Sequence, residues 1–207
     1  MTPETQLRSG ITALGLDIPE AAQRKLLDYV ALIGKWNETY NLTAVRDRGR
    51  MVSHHLLDCL AVMPHVPAPT LADVGSGAGL PGIPFAICNA AWRVTLIEAN
   101  HKKAAFLDQA RIELGLGNVE VQQTRVESCN DHRYRAVISR AFSDLPEFVR
   151  LAGHLLEPGG RLLALKGVHP HEEIAQLPDG YAVEQTLALQ VPGITAARHL
   201  IIVRSGS

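Results

Sequence analysis

The sequence has few cysteines, few aromatic residues and no excess of charge of either sign. Its three cysteines, Cys59, Cys88 and Cys129, are far apart and form no Cys-x-x-Cys pair. This argues against a disulfide scaffold and predicts reduced thiols in the core. The 20 basic residues are balanced by 21 acidic ones, for a net charge of -1. Bulk charge therefore does not favour nucleic-acid binding, although a local basic patch remains open.

Long apolar runs are missing as well. The N-terminus lacks the basic segment and the following apolar run of a signal peptide, and no stretch approaches the roughly 20 apolar residues of a membrane helix. We therefore expect a cytoplasmic protein. With 46% hydrophobic and 20% charged residues over 207 positions, the composition suits one compact domain with an appendage.

Helical and strand patterns divide the chain near residue 69. Before that point, apolar residues such as Leu26, Val30 and Ile33 recur at helical spacing, and a second helix is predicted near residues 50–63. Prolines then interrupt the pattern. We predict a small helical extension and linker over residues 1–69 and an α/β domain over residues 70–207.

The second part alternates strands with helices. Five strand candidates begin at Leu71, Arg93, Val119, Ala136 and Arg161. The alternation predicts a Rossmann-like, mostly parallel sheet with helices on both faces. Two further strands, near residues 181–189 and 199–203, have no room between them for a crossover helix. We expect these two to pair antiparallel, which gives a seven-stranded sheet.

A glycine-rich loop directly follows the first strand. Residues 73–82 read Asp-Val-Gly-Ser-Gly-Ala-Gly-Leu-Pro-Gly and open a helix. Glycines there let the backbone turn tightly and approach a ligand. Free amides of the loop and helix start favour an anionic group, either a pyrophosphate or the carboxylate of a methionine moiety. The loop therefore contributes candidate cofactor residues, which are Asp73, Gly75, Ser76, Gly77 and Gly79.

Two acids and a missing glycine bear on which cofactor the loop binds. Leu80 stands where the third glycine of the dinucleotide fingerprint would be. Glu98 ends the next strand, where it can accept hydrogen bonds from both ribose hydroxyls of either cofactor. Asp73 can hold the ammonium group of methionine, which a nicotinamide dinucleotide lacks. Residues 70–207 also accommodate only one nucleotide-binding half, so S-adenosylmethionine is favoured.

Several motifs outside the loop extend this interpretation. They are Trp36-Asn37, Asn41 to Asp47, His55 to Asp58, Leu80 to Pro84, Arg125 to Glu127, Ile138 to Ala141, Leu165 to Gly167, Val191-Pro192 and Arg198-His199. With them, the sequence resembles the ribosomal RNA small-subunit methyltransferase G family, formerly called glucose-inhibited division protein B, over nearly its whole length. Cys59 departs from the family pattern, in which serine is more usual.

The resemblance implies the class I S-adenosylmethionine-dependent methyltransferase fold. It implies S-adenosylmethionine as methyl donor and N7 of a guanine in the decoding-region loop of 16S ribosomal RNA as acceptor. It further implies that Gly75 and Leu80 line the methionine and ribose region, that Val126 and Glu127 contact the adenine, and that Arg140 reaches the cofactor near its reacting end.

Guanine N7 already carries a lone pair, so its methylation requires no general base. We expect in-line transfer, catalysed by positioning and by exclusion of water. The chain has no Asn-Pro-Pro-Tyr tetrad of the kind used on exocyclic amines, and Ser139, Arg140 and Ala141 occupy that place. Arg140 is the predicted positioning residue. Its expected main role is to hold the cofactor carboxylate, and the alternative is a contact with a substrate phosphate or with guanine O6.

Basic residues near the strand ends and in the extension are candidates for RNA contacts. They are Arg46, Arg48, Lys102, Lys103, Lys166 and Arg198. The expected partner is 16S ribosomal RNA within the small subunit or an assembly intermediate, bound by a monomer away from membranes. His54-His55 and His169-Pro170-His171 lack the spacing of a zinc site, so no metal is predicted.

Two alternatives remain open from the sequence. One is an S-adenosylmethionine-dependent methyltransferase of a small molecule or protein, which would use the same cofactor residues. The other is a non-catalytic nucleotide-binding or NAD-binding regulatory module, which would prefer NAD. The fold alone does not separate them, because this sheet hosts many chemistries.

Overall fold

A computed structural model describes residues 1–67, 69–140, 142 and 144–206, without the side chain of Arg48. The regular secondary structure of the first 65 residues is helical, with connecting segments at residues 14–19 and 41–47. The helices are α1 (Pro3–Ala13), α2 (Glu20–Tyr40), α3 (Arg48–Met51), a π-helical turn (Val52–Leu57), α4 (Asp58–Leu60) and a 3-10 turn (Met63–His65). None of the helices in this described part is long and apolar enough to cross a membrane.

The rest of the chain forms one sheet covered by helices. Its strands are β1 (Thr70–Val74), β2 (Arg93–Ile97), β3 (Val119–Gln122), β4 (Tyr134–Ser139), β5 (Leu156–Lys166), β6 (Tyr181–Ala188) and β7 (His199–Ser205). The helices are α5 (Gly82–Cys88), α6 (His101–Glu113), α7 (Leu145–Ala152) and α8 (His171–Ile174), with 3-10 turns at Val126–Ser128 and Gly153–Leu155.

The seven strands lie in the order β3-β2-β1-β4-β5-β7-β6. β1 to β5 are parallel, and β7 pairs antiparallel with both β5 and β6. The predicted fold class is therefore confirmed. Strand order reverses beside β1, so β1 and β4 diverge into helices on opposite faces and leave a crevice at their carboxyl ends.

Local sequence explains where the helices start. The Asn100 side chain accepts hydrogen bonds from the backbone amides of Lys102 (3.0 Å) and Lys103 (3.2 Å), which makes it the N-cap of α6. Asp144 caps α7 in the same way, through the amide of Glu147 at 2.7 Å. Both helices consequently begin right after the carboxyl edge of the sheet.

Both faces of the sheet are covered by buried apolar residues. On one face the N-terminal helices supply Leu7, Leu26 and Leu56, which pack in one cluster with Leu71 and Phe106. The helical extension therefore shares its core with the sheet, and the division at residue 69 stays a prediction. The other face is packed by a second cluster, which includes Phe148, Leu162 and Val203. Cys59 and Cys129 are buried free thiols, as predicted, and Cys88 is half-buried.

Helix α2 and the segment after it are fixed to the carboxyl edge of the sheet. The Tyr29 hydroxyl donates a hydrogen bond to the carbonyl of Ala78 in the glycine loop. The Asn37 side chain binds both backbone groups of Thr43, with its Nδ2 2.9 Å from the carbonyl and its Oδ1 2.9 Å from the amide. Trp36 packs against Phe106 with ring centroids 5.5 Å apart, which makes it a packing residue.

Two element boundaries differ from the sequence-based expectation. β5 begins at Leu156 rather than at the expected Arg161, because Tyr134 of β4 pairs with Leu156 across a bulge. The helix predicted near residues 50–63 contains a π-helical turn at its centre. Such turns are rare and occur frequently at functional sites.

The bond from Tyr29 should contribute measurably to stability. Tyr29→Phe leaves the Ala78 carbonyl without its buried donor, so we expect the free energy of unfolding in urea to fall by about 1–2 kcal/mol. Tyr40→Phe is the matched control, because Tyr40 ends the same helix and is 41% exposed; its effect should be less than about 0.5 kcal/mol. Equal effects of the two substitutions would show that the Tyr29 hydroxyl does not hold the loop.

Candidate active site

Three adjoining pockets lie along the carboxyl edge of the parallel strands. We call them the edge pocket (about 320 Å³), the loop pocket (about 180 Å³) and the arginine pocket (about 310 Å³). Gly75 lines both the edge and the loop pocket, and Arg140 lines both the loop and the arginine pocket. The three form a single path around the glycine loop to the end of β4.

The edge pocket brings together four of the predicted cofactor residues, of which Gly75 is one. Its wall includes Glu98, Val126 and Glu127, together with the apolar side chains of Ile97 and Phe142. Val126 and Glu127 belong to the 3-10 turn after β3, which carries them to the same edge as Glu98. Apolar walls with a few polar groups at fixed positions are typical of a site for a flat heterocycle.

Glu98 is almost fully buried, and two backbone amides fix its carboxylate. Its Oε2 accepts from Gly77 N and its Oε1 from Asn100 N, both at 2.8 Å. Each carboxylate oxygen has a second lone pair. The residue thus retains one acceptor position on each oxygen, which fits the two adjacent hydroxyls of a ribose.

The loop pocket is lined by the predicted residues Gly75, Ser76, Gly77, Leu80 and Arg140. Leu42, Thr43 and Ala78 complete its wall. The expectation that the loop presents free amides to an anion is wrong for most of its residues. The amides of Gly75 and Ser76 bond to the Ile97 carbonyl, and those of Gly79 and Leu80 bond to the Ser76 carbonyl. Because the loop satisfies its own amides, an anionic group in this pocket must find another partner, and Arg140 is in place to be one.

Asp73 and Gly79 lie behind these walls rather than in them. Asp73 is fully buried, and its Oδ2 accepts from Gly82 N at 2.8 Å. Its Oδ1 has no hydrogen-bond partner in the described part of the chain. Burial raises the pKa of Asp73 to about 7, against the opposing effects of the Gly82 amide and Arg140.

Gly79 has φ +85°, and a Cβ there would lie 2.5 Å from a side-chain carbon of Ile83. Its role in the structure is therefore close packing between the loop and α5. Gly79 lines none of the three pockets, and its assignment as a cofactor residue stays a prediction.

Asp58 joins two arginines in the arginine pocket. Its Oδ1 accepts from Arg198 Nε at 3.0 Å, and its Oδ2 lies 3.5 Å from Arg140 Nη1. Arg140 also donates to the His54 carbonyl at 3.1 Å. Asp58 is 5% exposed, whereas the side chains of Arg140 and Arg198 are 28% and 25% exposed, so the carboxylate is shielded and the two arginines reach solvent. Sequence reasoning missed its role, because Arg198 is 140 residues away along the chain.

His55 was also missed as a site residue. It lies in the π-helical turn, is 3% exposed, and lines the arginine pocket beside Arg140. Its Nε2 is 3.0 Å from Thr43 Oγ1. Burial, reinforced by the positive charge of Arg140, lowers the pKa of His55 to about 4. The ring is therefore neutral at physiological pH.

The predicted RNA-binding residues do not all meet at this cleft. Arg198 and Lys166 line the arginine pocket, and Lys166 Nζ is 2.6 Å from Glu173 Oε2. Arg46 lies outside the pocket walls, and its Nη2 bonds to Asn41 Oδ1 at 2.9 Å. Lys102 and Lys103 are in the first turn of α6, and the side chain of Arg48 lies outside the described part. Among described residues, no three His, Cys, Asp or Glu side chains are grouped to hold a metal ion.

Similar sequences identify the family of this chain. The profile described as rRNA small subunit methyltransferase G matches residues 22–201. A Nitrosospira multiformis protein named ribosomal RNA small subunit methyltransferase G is 56% identical over 99% of this chain and 98% of its own length. A protein of the same name from Neisseria meningitidis serogroup C is 53% identical over 98% of this chain and 99% of its own length.

Solved structures share the fold at low sequence identity. The O-methyltransferase TomG from Streptomyces achromogenes, in complex with SAM, matches with a TM-score of 0.62 and 17% identity over 100% of both chains. The B. subtilis tRNA methyltransferase TrmK matches with a TM-score of 0.56 and 15% identity over 72% of this chain and 66% of its own. The predicted family, enzyme class and cofactor are confirmed, and the chain belongs to the rRNA small subunit methyltransferase G family of S-adenosylmethionine-dependent methyltransferases.

Proposed function

We propose that this protein transfers the methyl group of S-adenosylmethionine to N7 of a guanine in the decoding-region loop of 16S ribosomal RNA. The observation that carries the proposal is the position of Arg140, which lines the loop pocket and the arginine pocket at once. A methyl donor bound along the edge and loop pockets would present its reacting end to a base in the arginine pocket.

The described side chains fit S-adenosylmethionine. The edge pocket would take the adenine between Val126 and Ile97, with Glu98 accepting from the ribose hydroxyls. The loop pocket would take the methionine portion, with Arg140 on its carboxylate. The unpartnered Oδ1 of Asp73 is the acceptor that the methionine ammonium would satisfy. When bound, this cofactor supplies a methyl group activated by its sulfonium charge.

No residue has to remove a proton in this reaction. The N7 lone pair forms the new carbon–nitrogen bond as the carbon–sulfur bond breaks, and the positive charge passes from sulfur to the purine. Asp58 is already paired with Arg140 and Arg198, and His55 is neutral. The residues act by holding the two reactants in contact and by excluding water.

The partner in this proposal is 16S ribosomal RNA, in the small subunit or an assembly intermediate, bound by a monomer in the cytoplasm. Arg198 at the arginine pocket would contact a phosphate. Arg46, Arg48, Lys102 and Lys103 are further candidates for phosphate contacts outside that pocket. Lys166 would do so only by leaving Glu173. Phosphate contacts predict RNA affinity that falls steeply as salt is added.

The experiment is a methyl-transfer assay with mapping of the product. The purified protein is incubated with isotopically labelled S-adenosylmethionine and either unmodified small subunits or naked 16S RNA, and the label is located by RNA mass spectrometry. Label on one guanine N7 is the expected result. Binding of the cofactor without any label on RNA would contradict the proposal and favour a small-molecule or protein acceptor.

Glu98 should contribute strongly to cofactor affinity. Glu98→Gln removes the charge that receives the ribose hydroxyls, so we expect the calorimetric Kd for S-adenosylmethionine to rise roughly 10- to 100-fold. Glu120→Gln is the matched control, because Glu120 is an exposed residue of β3 that bonds only to Gln122 among described side chains. The same Kd for both variants would remove Glu98 from the ribose site.

Asp73 should make cofactor binding depend on pH. An ammonium requires the ionised carboxylate, and the pKa of Asp73 in the free protein is about 7. Below pH 7 binding must then release a proton, so Kd should rise about tenfold for each pH unit between 7 and 5. The ammonium itself stays protonated in that range. Calorimetry in two buffers of different ionisation enthalpy counts the released protons.

Asp73→Asn should bind the cofactor more weakly and independently of pH over this range. If the wild-type protein binds the cofactor equally well at pH 5 and pH 7 and releases no proton, Asp73 does not bind the ammonium and serves only to hold the Gly82 amide.

Arg140→Ala should weaken cofactor binding and reduce turnover together. Loss of a charge-assisted bond to the carboxylate predicts a Kd higher by roughly 10-fold or more. Arg135→Ala is the control, since Arg135 makes a half-exposed ion pair with Glu157 at 3.7 Å, away from the pockets. Turnover lost with an unchanged Kd would assign Arg140 to the RNA instead.

A further inference from the structure

One polar atom of a residue in the arginine pocket wall has no assigned purpose. His55 Nδ1 is buried and makes no hydrogen bond of normal geometry in the described part of the chain, although the His54 backbone is close enough to the ring to oppose the lowering of its pKa. Leaving a buried polar atom unpaired costs about 1–3 kcal/mol, so native proteins retain few of them without a reason. Two other such atoms are present, Asp73 Oδ1, which is assigned above, and His169 Nδ1, whose residue lines none of the three pockets.

The neighbours of His55 determine which ring nitrogen carries the proton. Thr43 Oγ1 lies 3.0 Å from Nε2 and accepts from the amide of Val45 at 3.2 Å. The hydroxyl has a single hydrogen, and Nε2 is the only acceptor that contacts it among the described residues. With that hydrogen donated to Nε2, the proton of the neutral ring is on Nδ1. The unpartnered atom is therefore a donor.

The position of Thr43 is itself fixed. Asn37 holds both its backbone groups at 2.9 Å, and the hydroxyl itself is held by the Val45 amide and by His55 Nε2. Burial and Arg140 keep the ring uncharged. The pocket therefore contains a neutral donor at a fixed position, next to the arginine that faces the cofactor.

We propose that His55 is a specificity-determining residue whose Nδ1–H donates to O6 of the target guanine. This inference rests on the proposed function. Guanine offers three acceptors on the purine ring system, N7, O6 and N3. N7 must face the methyl group, and O6 is its neighbour on the same edge, whereas N3 is on the opposite side. Adenine presents an amino donor in place of O6, so it would leave the His55 donor facing another donor.

The neutral state of the ring suits the product. Methylation leaves a positive charge on the purine, next to Arg140 and Arg198. Arg140, Arg198 and Lys166 already line this pocket, and the two arginines share the single negative charge of Asp58. A protonated imidazole would add a fourth cation. A neutral imidazole donates to O6 without repelling the positively charged product.

Two substitutions of His55 distinguish the role of Nδ1 from that of Nε2. Asparagine can place an amide donor where Nδ1 lies, and glutamine can reach only the position of Nε2. Each is assayed on 16S RNA with guanine or 2-aminopurine at the modified position, since 2-aminopurine keeps N7 and lacks O6. With guanine, His55→Gln should lower kcat/KM roughly 10- to 100-fold, and His55→Asn should retain most of the activity.

The decisive comparison is how much kcat/KM falls when guanine is replaced by 2-aminopurine, measured in wild type and again in His55→Gln. If His55 donates to O6, wild type loses activity on 2-aminopurine, whereas His55→Gln loses no more from the base change. If the base change lowers kcat/KM by the same factor in His55→Gln as in wild type, the two losses are independent and the proposal is wrong. Cofactor Kd and thermal unfolding must match wild type for each variant compared.

Thr43→Val provides a second arm if His55→Gln does not fold. It removes the hydroxyl that fixes the tautomer of His55. It should therefore reduce the preference for guanine over 2-aminopurine by about the same factor as His55→Gln. An unchanged preference would contradict the proposal. Failure of the proposed function is distinguishable, because wild type would then place no methyl group on guanine N7 in the first assay.

Discussion

The site depends on one constraint, which is that polar groups buried at the carboxyl edge of the sheet must find partners. The glycine loop meets it with groups from three elements: Glu98 after β2 binds Gly77 N, Asp73 of β1 binds Gly82 N, and Tyr29 of α2 binds the Ala78 carbonyl. These bonds hold the loop in one shape before any ligand arrives. The acceptor positions that remain on Glu98 then face the edge pocket, and one oxygen of Asp73 stays unpaired behind the loop.

The helical extension supplies residues of the site itself. It supplies Tyr29 behind the loop, Thr43 in the loop pocket, and Asp58 between the two arginines. The extension and the sheet share one apolar cluster, so the arginine pocket exists only when both have folded together. Positioning of this kind suits a reaction whose nucleophile needs no activation, because holding two reactants in contact is then the main contribution of the protein.

Local features, such as strands, helices and motif residues, are predicted well from the sequence. Contacts between residues that are far apart in the chain are predicted poorly. The alternation of strands and helices, the Asn100 cap and the positions of Glu98, Val126 and Arg140 follow from short-range patterns and from family motifs. Asp58 and His55 lie inside a quoted motif, but their partners Arg198, Arg140 and Thr43 are brought to them only by the fold. Free loop amides were expected because glycine loops often bind anions, and here the carbonyls of Ile97 in β2 and of Ser76 in the loop accept hydrogen bonds from four of those amides instead.

The central claim is that the cleft is formed before the cofactor binds. Amide hydrogen exchange of Gly77 and Gly82, measured by NMR without and with S-adenosylmethionine, tests it most directly. A preformed loop predicts that both amides exchange at least roughly 100-fold more slowly than in an unstructured peptide without cofactor, since each is held by a buried carboxylate. Addition of cofactor should then change them little. Exchange at the unprotected rate until the cofactor is added would contradict the account.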